Sequence, residues 1–74
     1  MGVITTEDGV DLVEGDRAFN YYDMQPGTIG RLDPYTQQGD QWFDFDHDDG
    51  TCAYLNGSRI CTLEFAQRKG WHPR

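Results

Sequence analysis

Carboxylates and aromatic rings alternate along residues 41–50, which makes this stretch the richest in groups able to bind a ligand. Alternate residues of a β-strand point to opposite faces, so Trp42, Asp44 and Asp46 would share one face and Phe43 and Phe45 the other. Two phenylalanines on one face predict a core strand. A large aromatic among carboxylates suits a cationic or basic partner, and we expect a binding face on the opposite side.

Three tyrosines complete the set of candidate binding residues. Tyr21, Tyr22 and Tyr54 could join Trp42 in an aromatic cage that reads a cationic or methylated ligand through cation–π attraction. The face could instead dock a protein partner, or present carboxylates in the place of nucleic-acid phosphates. The sequence alone does not decide among these three hypotheses.

Neither the acidic stretch nor the cysteines and histidines have the spacing of metal ligands. A calcium loop beginning at Asp44 would need glycine at its sixth position and glutamate at its twelfth, where this chain has Asp49 and Leu55. The two cysteines and two histidines form no Cys-x-x-Cys or His-x-x-x-His pair, which structural zinc sites usually contain. We expect no metal and no cofactor, and solvated carboxylates over residues 44–49.

The sequence also lacks a catalytic set. Ser58 falls in a predicted hairpin rather than a nucleophile elbow, and no glycine loop precedes a helix as a phosphate site requires. His47 lies beside Asp46 and Asp48 and could be a general base, but a histidine at a strand end is more often a surface residue. We therefore predict that the protein is not an enzyme.

The formal charge of −7 is unevenly spread. Residues 1–57 have a net charge of −10, whereas residues 58–74 have a net charge of +3. An acidic body repels nucleic-acid phosphates and attracts a basic partner, although excess acid also keeps a small protein soluble. We expect a protein partner, basic on this argument, and no nucleic-acid binding.

No segment predicts membrane insertion or export. Every apolar run is far shorter than the roughly 18 residues of a membrane span, and no basic region followed by an apolar run begins the chain. Two cysteines do not make a disulfide framework in a chain of this length. These features predict a cytoplasmic protein with one domain over residues 1–74.

Short strands separated by turns would position the candidate residues. Glu7-Asp8-Gly9 predicts the turn of an opening hairpin, and Gly30 predicts a bulge or a close backbone approach within a strand. Residues 23–27, which include a Pro-Gly pair, predict a loop, and residues 33–40 predict a mobile loop. The expected core residues are Ile29, Leu32, Phe43, Phe45 and Ile60.

Asn56-Gly57 predicts a two-residue type I′ turn between strands at residues 51–55 and 58–61. Such a turn sets the register and places Cys52 opposite Cys61. Opposed strand residues are within disulfide range, but the cytosol is reducing, so we expect two small buried thiols that can be bridged in vitro.

The last element is expected to be a helix over residues 62–69, with Thr62 as its N-cap and Gly70 just after its end. Trp71 would fold back onto the body, and the rest of the tail 70–74 would fray.

This helix carries the basic pair Arg68-Lys69, which could reach the carboxylates of Asp44 and Asp46 while Trp42 packs under the helix. We favour such partial cover of the binding face over a fully open one, because so small a chain needs its aromatic residues for the core.

The chain has, in order, the motifs Gly15-Asp16, Pro26-Gly27-Thr28-Ile29, Trp42-Phe43-Asp44-Phe45 and Asp49-Gly50. Over residues 12–61 this order resembles the SH3-like barrels of the Tudor and KOW kind. Turn spacing and alternation predict mainly antiparallel β structure over residues 3–61, with an N-terminal hairpin and a short C-terminal helix, and the resemblance implies that the strands form a small SH3-like barrel. KOW modules usually bind with basic loops, whereas the loops here are acidic.

A second resemblance rests on the motifs Thr5-Thr6-Glu7-Asp8-Gly9-Val10, Phe19-Asn20-Tyr21-Tyr22-Asp23 and Leu55-Asn56-Gly57-Ser58-Arg59-Ile60. These look like small uncharacterised proteins of actinobacterial phages. The resemblance implies a phage or mobile-element origin and brings no activity with it. Together with the charge, it leads us to expect a small acidic interaction module that docks a host or virion protein.

Overall fold

A computed structural model describes residues 2–36 and 40–73. Helix α1 (Leu63–Lys69) is preceded by short strands, and two single turns of 3-10 helix lie at Pro34–Thr36 and Gly57–Arg59. The strands are β1 (Ile4–Thr5), β2 (Asp11–Leu12), β3 (Arg17–Asn20), β4 (Gln25–Leu32), β5 (Trp42–His47), β6 (Cys52–Asn56) and β7 (Ile60–Cys61). The middle of the predicted mobile loop, residues 37–39, and the end of the predicted tail, Arg74, lie outside the described residues.

Five antiparallel strands in the order β6-β5-β4-β3-β7 form one sheet that curls into a half-barrel. β1 and β2 form a separate hairpin, in which Ile4 faces Leu12. The prediction of a mainly β fold with an N-terminal hairpin and a short C-terminal helix is confirmed, and the architecture fits a small SH3-like barrel. None of the described helices is long and apolar enough to cross a membrane.

The alternation of β5 is also confirmed. Phe43 and Phe45 are fully buried on the inner face of the sheet, whereas Asp44 and Asp46 are exposed on the outer face. Leu32 was predicted to be core but is only partly buried against it, because it lies at the end of β4 beyond a β-bulge. The buried core consists of Ile4, Ala18, Ile29, Phe43, Phe45, Leu55 and Ile60.

The predicted bulge lies at Gly30, between Ile29 and Leu32, where the register of β4 against β5 shifts. A Cβ atom on residue 30 would be 3.0 Å from the carbonyl oxygen of Asp44 and 3.3 Å from Oδ2 of Asp46. Glycine therefore leaves room for the Asp46 carboxylate on the outer face.

The predicted loop at residues 23–27 is wrong in position. The chain turns at residues 21–24 instead, because the side-chain oxygen of Asn20 accepts hydrogen bonds from the N–H groups of Tyr22 and Asp23, at 3.0 and 3.3 Å. Pro26 and Gly27 belong to β4, where Gly27 is needed because a Cβ atom there would be 2.3 Å from a backbone oxygen of β5.

The predicted type I′ hairpin at Asn56-Gly57 is wrong. A type I′ turn needs positive φ at both central residues, but Asn56 has a φ of −114°. Gly57 is instead required by close packing, since a Cβ atom there would be 2.1 Å from the carbonyl oxygen of Thr5. The chain crosses to the other edge of the sheet, where β7 pairs with β3, so Cys52 and Cys61 are not cross-strand neighbours.

Helix α1 packs against β3 and β7, where Ala66 is buried with Phe19 and Cys61. Thr62 caps it by accepting a hydrogen bond from the N–H of Phe65 at 3.1 Å, and Gly70 ends it in the left-handed conformation with φ 75°, both as predicted. Trp71 folds back, as expected, with its ring centroid 6.4 Å from that of Phe19. This second cluster has Phe19, Cys61 and Ala66 at its centre, with Tyr21, Met24, Leu63, Phe65 and Trp71 around them.

Candidate functional site

Among the described residues, the β5–β6 half of the outer face lies away from α1, which contacts β3. In the register of these strands Asp44 faces Tyr54 and Asp46 faces Cys52, so their side chains lie on one surface with Trp42. The carboxylate of Asp33 joins this surface through a hydrogen bond to Tyr54. We call it the acidic-aromatic face, consisting of Asp33, Trp42, Asp44, Asp46 and Tyr54.

Trp42 and Tyr54 form a stacked pair on this face. Their ring centroids are 5.2 Å apart and their planes differ by 22°. Trp42 is directly opposite Asn56, so it meets Tyr54 as a diagonal cross-strand neighbour, which stabilises a sheet. Tyr54 is still 51% exposed, which leaves the rest of its ring open to a ligand.

Asp33 is oriented by two hydrogen bonds. The Tyr54 hydroxyl donates to Oδ2, and the backbone N–H of Tyr35 donates to Oδ1 at 2.9 Å. These bonds hold the pKa of Asp33 below its usual range, and the same carboxylate raises the pKa of the Tyr54 phenol. At neutral pH the pair is therefore a charged carboxylate and a neutral phenol.

A shallow pocket of about 270 Å³ adjoins the exposed side of Tyr54. Its lining combines two carboxylates, two tyrosine rings, a proline and a guanidinium, from Arg31, Asp33, Pro34, Tyr35, Asp44 and Tyr54. Aromatic surfaces suit the alkyl stem of a lysine or arginine, and the carboxylates suit its charged end. The two carboxylates outnumber the single guanidinium of Arg31, so the pocket as a whole favours a cationic side chain.

The predicted cover of this face by α1 is wrong. Lys69 lies over the Phe65 ring, 5.4 Å from its centroid, and Arg68 is 4.0 Å from Glu64 on the same helix. Trp42 packs on Tyr54 rather than on an aromatic of the helix. The reason is the strand order. β4 lies between β3, which α1 contacts, and β5, which contains Trp42.

Tyr21 and Tyr22 form a second aromatic pair, with centroids 5.1 Å apart. The Tyr21 hydroxyl donates to the Ser58 carbonyl, and the Arg59 guanidinium lies 4.5 Å from the centroid of the Tyr22 ring. Tyr21 and Tyr22 follow β3 and lie near the start of β4. Trp42 is the first residue of β5 and lies near the end of β4. The four candidate rings thus form two pairs, and no ring contact joins them within the described residues.

The remaining carboxylates of the acidic stretch have structural partners. Asp48 forms a two-pronged ion pair with Arg17, with both N–O distances at 2.6 Å. Asp49 accepts hydrogen bonds from the backbone and the hydroxyl of Thr51. Within residues 2–36 and 40–73, no three His, Cys, Asp or Glu side chains are grouped so as to hold a metal ion.

His47 was expected at the surface and is instead buried. His47 lies on the inner face with Phe45, because residues two positions apart in a strand point to the same side. Its Nδ1 is 2.9 Å from the Thr51 hydroxyl oxygen, and its Nε2 is 3.0 Å from the Asn20 amide nitrogen. Both ring nitrogens are thus engaged in the interior.

The sequence did not single out Asp33, Arg31 or Tyr35 as site residues. Residues 33–40, which include Asp33 and Tyr35, were predicted as a mobile loop. The hydrogen bond between Asp33 and Tyr54 depends on the pairing of β4 with β5 and of β5 with β6. Local sequence patterns do not predict which strands pair.

Comparison of this chain with protein-family models, curated proteins and solved structures found no match. The function is therefore inferred from the acidic-aromatic face itself.

Proposed function

We propose that the protein is a small, non-enzymatic interaction module that binds a basic protein partner through its acidic-aromatic face. The observation that carries the proposal is the uncovered β5–β6 surface, where the stacked rings of Trp42 and Tyr54 adjoin three carboxylates. Exposed aromatic residues are frequent energetic centres of interfaces. Surrounding carboxylates would speed the approach of a basic partner and select against acidic ones.

The aromatic-cage reading has less support than docking of a protein surface. A cage surrounds a cation with several ring faces, but Trp42 and Tyr54 cover each other, and Tyr21 and Tyr22 are at the other end of β4. A mimic of nucleic acid is a variant of the docking proposal, since its partner would also be a basic protein.

We further propose that the module is phage-encoded, acts in the cytoplasm of a bacterial host and docks a host or virion protein. Support comes from its motifs, such as residues 5–10 and 19–23, which resemble small proteins of actinobacterial phages.

The proposal is tested by capturing proteins from an actinobacterial lysate on the immobilised chain. Asp44→Asn with Asp46→Asn removes two charges from the acidic-aromatic face, and we expect it to abolish capture of the partner. The control, Asp11→Asn with Glu14→Gln, removes the same charge at β2 and the following turn, and capture should persist. Each exposed substitution should change stability by no more than about 0.5 kcal/mol.

Equal capture by the two double variants would refute the proposal. A second readout is ionic strength, because exposed charges are screened by salt: the affinity of the captured partner should fall as salt rises. The affinity of the Asp44→Asn, Asp46→Asn variant, if measurable, should depend on salt less steeply than that of the unaltered chain.

A further inference from the structure

β6 is an outer strand of the five-stranded sheet. Its residues pair with β5 on one side, from Cys52 opposite Asp46 to Asn56 opposite Trp42. Among residues 2–36 and 40–73, no strand pairs with its other side. Such an edge has backbone N–H and C=O groups that are free to bind an additional strand.

The hydrogen-bond pattern shows which residues of β6 face this edge. The N–H of His47 donates to the carbonyl oxygen of Thr51 at 2.8 Å, so these two form a hydrogen-bonded pair. Antiparallel ladders alternate between hydrogen-bonded and non-hydrogen-bonded pairs. Cys52 and Tyr54 therefore belong to non-hydrogen-bonded pairs and direct their backbone groups away from β5, toward the free edge.

The hydrogen bonds between β4 and β5 agree with this alternation of pairs. The carbonyl of Trp42, in a pair of the same kind, accepts a hydrogen bond from the N–H of Asp33, 2.9 Å away, on the β4 side of β5. The assignment of Tyr54 to the free edge thus agrees with the hydrogen bonds on both sides of β5.

Tyr54 consequently presents its backbone to the free edge and its ring to the acidic-aromatic face. A residue directly opposite it in an added strand would lie on the same outer face, with Cβ atoms about 4.5–5.5 Å apart. A lysine or arginine at that position could cover the exposed part of the Tyr54 ring and reach the carboxylates of Asp33 and Asp44. Its sequence neighbours would point to the inner side, beside partly buried Ala53 and buried Leu55.

We propose that the partner contributes an extended segment of alternating basic and apolar residues, which joins the sheet as a further strand beside β6. This inference rests on the proposed function and specifies the form of the basic partner. Backbone hydrogen bonds to β6 would supply affinity, and the carboxylates of the acidic-aromatic face would select basic residues at alternate positions.

A second copy of the chain fits this edge poorly. Each copy has a formal charge of −7, and β6 has the sequence Cys-Ala-Tyr-Leu-Asn, without a basic residue to meet Asp44. Pairing of two β6 strands would bring the acidic faces together, which like charges oppose.

The test uses a short peptide of alternating arginine and valine and two methylated versions of it. One version has N-methyl groups on all arginine amides, and the other has them on all valine amides. Because alternate residues of a strand hydrogen-bond to the same side, only one set of amides can face β6. We expect the unmodified peptide to bind, one methylated peptide to lose at least about tenfold in affinity, and the other to bind like its parent.

Amide hydrogen exchange measured by NMR gives a second readout. In the free protein, the amides of Cys52 and Tyr54 should exchange faster than those of Ala53 and Leu55, and peptide binding should protect them. No binding of the unmodified peptide, equal binding of all three peptides, or unprotected amides in the complex would overturn the inference. Self-association that protects the same amides would also overturn it, because the occupant would then be a second copy.

These outcomes separate strand addition from the proposed function. If lysate capture still depends on Asp44 and Asp46 while strand addition fails, the acidic-aromatic face binds its partner by side chains alone. If capture does not depend on those residues, the proposed function itself is refuted.

Discussion

Asn20 and His47 are joined by a hydrogen bond inside the half-barrel, with Nδ2 and Nε2 3.0 Å apart. The Asn20 side-chain oxygen already accepts hydrogen bonds from Tyr22 and Asp23, so its amide nitrogen faces the histidine. Nε2 of His47 is then the acceptor, and the ring proton is on Nδ1, toward the Thr51 hydroxyl. This network ties the turn after β3 to the end of β5.

Asn20→Ala should destabilise the protein, because it leaves buried His47 Nε2 without its donor and removes the acceptor of the turn. We expect a loss of about 1–3 kcal/mol for each buried group left unsatisfied, measured as the shift of the urea unfolding midpoint. Asn56→Ala is the control, since the Asn56 side chain only accepts an exposed hydrogen bond from the Ser58 hydroxyl, and the midpoint should hardly change. An unchanged midpoint for Asn20→Ala would contradict the network.

Phe45→Ala should cost about 3–5 kcal/mol, the usual range for removing a buried phenylalanine. Phe45 is fully buried and packs edge-on against Phe43, with centroids 6.4 Å apart. A loss of this size approaches the total stability of a small domain, so we expect the variant to be largely unfolded in thermal melts. Tyr35→Ala is the control: its side chain is 95% exposed, and the melting temperature should hardly change.

Asp8 links the opening hairpin to the start of α1, and we expect this link to depend on pH. Thr62 donates to its carboxylate through the backbone N–H at 3.1 Å and the hydroxyl at 2.7 Å, and Thr6 donates at 2.5 Å. Burial raises the pKa of Asp8, but these hydrogen bonds outweigh it, so the net pKa lies below the ordinary 3.8. The stabilisation is therefore fully present above the unfolded-state pKa and is lost as pH falls through the lower folded-state pKa.

Asp8→Asn should cost about 1–2 kcal/mol at about pH 6, with a smaller difference from the unaltered chain near pH 3. Urea midpoints of both proteins at the two pH values measure this. Asp11→Asn, at an exposed carboxylate in the same hairpin, should show a smaller effect. A deficit of Asp8→Asn that stays constant across this range would show that the charge of Asp8 does not stabilise the fold.

The two cysteines should differ sharply in reactivity. Cys52 is exposed on β6, whereas Cys61 is buried on β7 at the other edge of the sheet, and burial raises the pKa of its thiol to about 11. We expect a thiol reagent at about pH 8 to label one cysteine in the native protein and both after unfolding. Cys52→Ser should abolish native labelling. An intramolecular disulfide formed under mild oxidation would contradict the strand order.

Patterns that depend on neighbouring residues could be predicted from the sequence. The two-residue period of β5 separates Phe43 and Phe45 from Asp44 and Asp46, because successive side chains of a strand point to opposite faces. The limits of α1 follow from Thr62 and Gly70, which satisfy its free backbone groups locally. The mainly β fold could be predicted because turn residues and two-residue alternation are also local patterns.

Only the tertiary structure decided which elements meet. Asn56-Gly57 has the composition of a hairpin turn, but Gly57 packs against Thr5 and the chain crosses to β3, which separates the two cysteines and leaves β6 as an edge. The strand order likewise places α1 against β3 and leaves Trp42 and Tyr54 to stack on each other away from the helix. Such contacts join residues distant in sequence, and they are chosen by the packing of the whole core rather than by any local propensity.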